Sequence, residues 1–175
     1  MATQPGTHDF EPLSNAVLGA CIDVQRQMGV HCMEVDYQRA LELALPKRGL
    51  EFQRELEIPI AYDGVVVTKR RVDFIIWDGC SELLLETKAR STLLPEDAEQ
   101  CFLYLHQGGY RVCLLVNFGQ KPLGIRRFVH TPPEGPDHER RLEHEEIRST
   151  RGTKRRENLE HERRETTRKS RKRGI

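Results

Sequence analysis

The sequence predicts an α/β fold, a mixed sheet flanked by helices. Three observations carry that expectation. Two helical stripes open the chain. Short strand-patterned segments broken by Asp-Gly pairs follow. A third helical stripe then separates two nearly continuous apolar runs. An Asp-Gly turn returns the chain antiparallel, whereas a strand-helix-strand succession returns it parallel through a right-handed crossover, so the sheet is mixed.

Leu13, Val17, Cys21, Val24 and Met28 recur at helical spacing, with Ser14 as the expected N-cap and Gly29 as the stop. Residues 1–12, polar with two prolines, are expected to be flexible. A second helix is expected over 33–48, with Tyr37, Ala40, Leu41, Ala44 and Leu45 as its stripe and Gly49 as terminator. Leu56, Ile58, Ile60 and Tyr62 alternate as in a strand, and Asp63-Gly64 turns the chain. Residues 65–67 begin a second strand that 71–77 continues or follows. Asp78-Gly79 joins 71–77 to 81–88 as a hairpin, with Cys80-Ser81 leaving the register open. Pro95 opens a third helix to about Gln107, closed by Gly108-Gly109. Its apolar side is Ala98, Cys101, Phe102 and Leu105, with Gln100 and Tyr104 on a different edge. Residues 110–118 read as a buried central strand and 124–129 as a last edge strand.

The chain has 175 residues and a net charge of +1, unevenly spread. Residues 131–175 carry 14 Lys/Arg and 10 Asp/Glu, whereas 1–130 carry 14 and 17. The first 130 residues hold nearly all the apolar side chains, so 13–130 is the expected folded domain. A breaker cluster, Pro132, Pro133, Gly135 and Pro136, precedes a charged segment whose large apolar residues are Leu142, Ile147, Leu159 and Ile175. That segment, 131–175, is expected to be a disordered tail. No apolar run approaches the roughly 20 residues of a membrane span, and the first residues lack the charged and apolar regions of a signal peptide. Five cysteines, odd in number and without a C-x-x-C pair, argue against zinc and against a disulfide framework. A cytoplasmic location with reduced thiols is the expectation.

The charges that interrupt the strand patterns point to chemistry. Asp73 lies within the apolar run 72–76, and Glu86-Thr87-Lys88 ends the run 83–85. A charge in a buried strand is costly unless it is paired or binds a metal. Glu86 and Lys88, two apart, share a strand face. The hairpin brings Asp73 and Glu86 close together. Two carboxylates offer hard oxygen ligands for Mg²⁺, and a neighbouring lysine can hold or activate a water. The plainer reading is a cross-strand salt bridge near a sheet end.

These features resemble the PD-(D/E)XK nuclease superfamily, and within it the GxxExxY protein family. The segment from Gly29 through Glu34 and Tyr37 to Leu41 is similar to that family's name-giving motif, with His31 where its first glycine stands. Arg71-Val72-Asp73 resembles its R-x-D strand, Glu86-Thr87-Lys88 its E-x-K strand, Gln100 with Tyr104 its Q-x-x-x-Y helix, and Asn117-Phe118-Gly119 its N-F-G strand end. The resemblance spans about 12–130. It implies a restriction-endonuclease-like core and a metal-dependent phosphodiesterase site. Asp73 and Glu86 would ligate Mg²⁺ or Mn²⁺, with Glu34 as a further ligand or orienter. Lys88 would position or deprotonate the attacking water, and Gln100 would anchor a ligand, water or phosphate. Tyr37, Arg71 and Tyr104 would support the site, and positions 87 and 89 would stand outside the chemistry. Arg71 keeps two readings, a carboxylate partner (Glu34 or Asp73) or a phosphate. Tyr37, on an apolar stripe, reads as core. The expected partner is nucleic acid, DNA rather than RNA, with no membrane; the oligomeric state is open. A non-catalytic module with the same fold, binding nucleic acid or protein, is the alternative, favoured by the acidic balance of 1–130.

Overall fold

The computed structural model describes residues 11–131. The expectations for 1–10 and 132–175 lie outside these residues. The elements are α1 (Glu11–Met28), α2 (Glu34–Ala44), a short 3₁₀ turn (Pro46–Arg48), β1 (Glu51–Tyr62), β2 (Val65–Trp77), β3 (Glu82–Lys88), α3 (Pro95–Gly108), β4 (Val112–Asn117) and β5 (Gly124–Val129). The strands form one sheet in the order β1-β2-β3-β4-β5. Only β3 and β4 pair in parallel, bridged by α3, and the other neighbours are antiparallel. The predicted mixed sheet is present.

The helix ends follow from local chemistry. α1 starts two residues earlier than the stripe suggests. Glu11 and Pro12 suit a first turn, where an acid meets the positive end of the dipole and a missing N–H is not needed. Ser14 is therefore inside the helix and buried, not a cap. α2 stops at Ala44 because Pro46 cannot continue the hydrogen-bond ladder; the remainder becomes the 3₁₀ turn, ended by Gly49 at φ 73. Asp36 and Asp97 occupy the third positions of α2 and α3 and accept the N–H of Met33 and Leu94 at 3.0 and 2.8 Å.

β1 begins five residues before its alternation suggests, and 51–54 pair with the far half of β2. β2 is continuous, so 71–77 continues the strand that 65–67 begin. The Asp78 turn forms as expected: its Oδ1 accepts the N–H groups of Cys80 and Ser81 at 2.9 Å.

The sheet has a core on each face. α1 and α2 cover Phe74, Ile76, Leu83, Leu85, Leu114 and Val116. On the other face Cys101, Tyr104 and Leu105 of α3 meet Ile58, Ile75, Leu84, Cys113 and Leu115. β3 and β4 are buried along their lengths, as strands covered on both faces should be. Phe102, placed on the apolar side of α3 by spacing, is half exposed and meets Phe128 edge-on at 4.9 Å, while Tyr104 takes the buried position. Cys21, Cys101 and Cys113 are buried free thiols, but Cys80 is exposed and Cys32 half-buried. Among the described residues no helix is long and apolar enough to cross a membrane.

The loops after β3 and β4 are locked together. Buried Asn117 accepts the N–H of Arg90 at 3.0 Å and that of Gly119 at 3.2 Å, and donates to Arg90 O at 2.8 Å. Gly119 lies so near that a Cβ would fall 2.5 Å from Arg90 O and 2.6 Å from Arg90 N. Gly119→Ala should therefore cost about 2 kcal/mol or more of folding stability, because the obstructing atoms are backbone. Urea unfolding of the two proteins checks this; equal midpoints would show that the loops can part freely.

Candidate active site

Asp73 lies at a break in both of the ladders that flank it. The β1–β2 register passes from Arg54↔Phe74 to Leu56↔Val72 and skips Glu55 and Asp73. Glu55 has φ 52, a left-handed conformation that costs a non-glycine residue on the order of 1 kcal/mol. The β2–β3 pairing ends at Phe74↔Leu85, immediately before Asp73. The carboxylate then turns onto β3. Oδ2 accepts the Thr87 N–H at 2.8 Å and the Thr87 hydroxyl at 2.6 Å. A side-chain oxygen serves where the next backbone carbonyl of β2 would have continued the ladder.

Glu86 and Lys88 stand on either side of Thr87 on β3. Both are buried, Glu86 at 3% exposure and Lys88 at 8%. Lys88 Nζ donates to Glu86 Oε1 at 2.7 Å. The ion pair thus lies within one strand, not across two as the plainer sequence reading had it. The other oxygen, Glu86 Oε2, is buried without a hydrogen-bond partner. Such an orphan costs about 1–3 kcal/mol, more for a charged group.

The electrostatics place the predicted acids in one neighbourhood. Burial, reinforced by the charge of Asp73 and opposed by Lys88, pushes the Glu86 carboxyl up to about 7. Burial alone would lower the Lys88 ammonium, but Glu86, with help from Glu34 and Asp73, outweighs it and holds Lys88 above its ordinary value. Glu34, the first residue of α2, is also raised, chiefly by burial; Asp73 adds to the rise, while Lys88 and Arg90 oppose it. Asp73 and Lys88 thus act electrostatically on both Glu86 and Glu34, the first from β2, the second from β3, with Glu34 at a helix start.

Gln100 and Tyr104 border this cluster. Gln100 Nε2 donates to the Tyr104 hydroxyl, which donates to Arg71 O at 2.6 Å. Burial and the charge of Glu86 raise the Tyr104 hydroxyl, which keeps it protonated as a donor. Tyr37 is a core residue. Its ring stacks on Phe118 at 4.5 Å, and its hydroxyl donates to Gly29 O at 2.8 Å and accepts the Cys32 N–H at 3.2 Å. It so fixes the loop that delivers Glu34. His31 is exposed in that loop, and the left-handed turn is made by Gly29 at φ 77.

Arg71 differs from expectation. It meets neither Glu34 nor Asp73; its guanidinium lies 3.5 Å from Glu55, with both side chains largely exposed. The left-handed turn of Glu55, opposite the break at Asp73, brings in this third carboxylate. Thr87, expected to stand outside the chemistry, is fully buried and makes two bonds to Asp73. A threonine between two charges in a buried strand is the one signal that pointed to it.

Two neighbouring carboxylates, one with an unpartnered buried oxygen, suit a hard divalent cation such as Mg²⁺ or Mn²⁺. Among the described residues no group of three or more acids, histidines or cysteines closes on one point. Glu34 thus stands beside the Asp73–Glu86 pair without completing a three-ligand cage. Lys88 adds a fixed ammonium that can hold a water or an anion next to the pair.

The raised Glu86 carboxyl has a defined consequence for stability. A carboxyl whose folded-state pKa lies above its unfolded value favours folding while protonated. That advantage is complete below about pH 4.5 and is lost as pH rises from there to about 7, because the native state then binds the extra proton. In metal-free buffer Glu86→Gln should therefore gain on the wild type across that window, by on the order of 3 kcal/mol above pH 7. Thermal melts of both proteins from pH 4.5 to 8 test this; parallel curves would place Glu86 in a well-solvated environment.

The order of parts is distinctive: an aspartate at the point where two strands separate, an acid-x-lysine on the next strand, a crossover helix with glutamine and tyrosine, and a parallel strand ending in Asn117. No curated protein and no solved structure gave a match to the chain. The family profile of the PD-(D/E)XK nuclease superfamily matches residues 11–128, a span that runs from α1 to β5 and holds every side chain of the charged cluster. With fold, site order and profile in agreement, the chain belongs to the PD-(D/E)XK nuclease superfamily.

Proposed function

We propose that this protein is a metal-dependent nuclease of the GxxExxY type that hydrolyses phosphodiester bonds of nucleic acid, DNA rather than RNA. The observation that carries the reading is the pair Asp73 and Glu86 with its buried, unpartnered Oε2 beside Lys88. A divalent cation bound there would neutralise charge on the scissile phosphate and lower the pKa of a bound water. The chain's own residues then have separate tasks. Asp73 and Glu86 hold the cation, and Glu34 supports it from α2. Lys88 orients the water or stabilises the developing anion, held in place by its bond to Glu86. Gln100, fixed by Tyr104, presents an amide to a phosphate or a water. The roles of Tyr37 and Tyr104 are positional, and exposed Arg71 is available to a phosphate at the rim.

In this reading Asp73→Ala, Glu86→Gln and Lys88→Ala each lower cleavage by at least about 100-fold while the fold persists. A cleavage assay with Mg²⁺ or Mn²⁺ on single- and double-stranded DNA and RNA, with circular dichroism of each variant, is the measurement. Undiminished cleavage by Glu86→Gln and Lys88→Ala would remove these residues from the chemistry. Nucleic acid bound but not cut by the wild type would favour the non-catalytic module, a reading supported by the acidic balance of 1–130.

The basic segment supplies a second test. Residues 148–175 contain twelve Lys/Arg and four Glu. That surplus offers sequence-independent attraction to phosphates, which the acidic domain lacks. Among the described residues the last backbone bond is His130 N–H to Arg111 O at 2.9 Å, which a chain ending at Thr131 retains. Such a chain should bind duplex DNA more weakly, with a shallower salt dependence, each lost phosphate contact removing about 0.9 from the slope of log K against log salt. Identical slopes for the two lengths would leave the segment without a nucleic-acid role.

A further inference from the structure

Thr87 lies between two site residues but faces the opposite side of the sheet, toward α2. Its hydroxyl accepts from Gln38 Nε2 at 3.0 Å and donates to Asp73 Oδ2 at 2.6 Å. Gln38 Oε1 in turn accepts from Arg54 Nη2 at 2.6 Å. Arg54 also pairs with Glu42 of α2, and its guanidinium lies 5.4 Å from the centre of the Phe74 ring. Four elements, α2, β1, β2 and β3, contribute to one chain of bonds that ends on the aspartate at the ladder break.

The direction of every bond in this chain is determined by chemistry. A guanidinium only donates, so Gln38 must turn its oxygen toward Arg54 and its amide nitrogen toward Thr87. The Thr87 hydroxyl has one hydrogen. With Gln38 donating to it, that hydrogen goes to Asp73 Oδ2, which accepts it. The chain sits against the apolar core beneath α2, where Gln38 and Thr87 are buried and Arg54 Nε finds no partner. Apolar residues of similar volume would often be neutral or stabilising in such a place. Retaining a directed polar chain there has a specific effect: one oxygen of Asp73 is held by two bonds from Thr87, and the carboxylate keeps one orientation toward Glu86.

We infer that Arg54, Gln38 and Thr87 are positioning residues that set the orientation of the Asp73 carboxylate for cation binding, an inference that rests on the metal-dependent nuclease reading. Loss of partners that orient a ligand typically lowers metal affinity or activity by about 10–100-fold. Thr87→Val and Gln38→Met should each reduce kcat by that factor with little change in KM for nucleic acid. They should also weaken Mn²⁺ binding in a direct titration that needs no turnover. The double variant should be no worse than the more severe single one, because both cut the same chain. Thr87→Ser, which keeps the hydroxyl, should restore wild-type values.

The deciding readout is independent of both metal and activity. Three-bond NMR couplings should show one χ1 rotamer for Asp73 in the full-length wild type and in Thr87→Ser. They should show averaging in Thr87→Val and in Gln38→Met. Two variants at separate links guard against one of them failing to fold. A single, unchanged Asp73 rotamer in either folded variant would overturn the inference. So would Mn²⁺ affinity that stays at the wild-type value in both. If the wild type cleaves no nucleic acid, the nuclease reading falls on the assay of the preceding section, and the Asp73 rotamer still decides the positioning chain.

Discussion

The arrangement of the site depends on one substitution in a hydrogen-bond ladder. β2 and β3 pair as far as Phe74↔Leu85, and beyond that point the acceptor for the Thr87 N–H is the carboxylate of Asp73. A backbone carbonyl in that role would extend the hairpin and close the gap between the strands. With a side chain there, Asp73 belongs to the sheet and to the charged cluster at once. The left-handed Glu55 on the far side makes this possible by removing Asp73 from the β1–β2 pairing. Strain at one residue and a side chain in place of backbone thus open the sheet where the acids collect.

The open end then concentrates charge at a cost. Glu86 sits in the protein interior with one oxygen satisfied by Lys88 and the other by nothing. Desolvation and the neighbouring Asp73 both oppose its ionisation. Lys88 relieves part of this, and its own ammonium depends on the same acids to stay charged against burial. A cluster arranged for folding alone would pair its charges fully or omit them. Such strongly perturbed carboxyls, with burial and a like charge as their causes, mark the cluster as a candidate functional site.

Around this cluster the fold supplies rigidity from three directions. Tyr37 pins the loop before Glu34, Tyr104 ties α3 to the backbone of β2 beside the ladder break, and Asn117 clamps the segment that follows Lys88. Each is a buried polar group spent on backbone atoms of another element. The N-F-G strand end is explained in the same way. Asn117 provides the clamp, Phe118 stacks on Tyr37, and Gly119 lets the Arg90 backbone approach.

The sequence by itself determined the element order, the two Asp-Gly hairpins, the parallel crossover around α3 and the meeting of Asp73, Glu86 and Lys88. These depend on local periodicity, turn chemistry and the fixed alternation of side chains along a strand, all of which are read over a few residues. Only the tertiary structure decided the length of β1, the exchange of Phe102 for Tyr104 in the core, the pairing of Arg71 with Glu55 and the place of Thr87 beneath Asp73. Each of these is set by contacts between residues distant in sequence or by a local gap in the strand pairing. An alternation pattern cannot report a strand half whose inward positions hold a charged residue, as Arg54 does two places after Phe52, and spacing cannot show which carboxylate a long arginine will reach. Thr87 is the clearest case. On the strand it points away from Glu86 and Lys88, and only the parting of β2 from β3 brings the Asp73 carboxylate to its backbone and its hydroxyl.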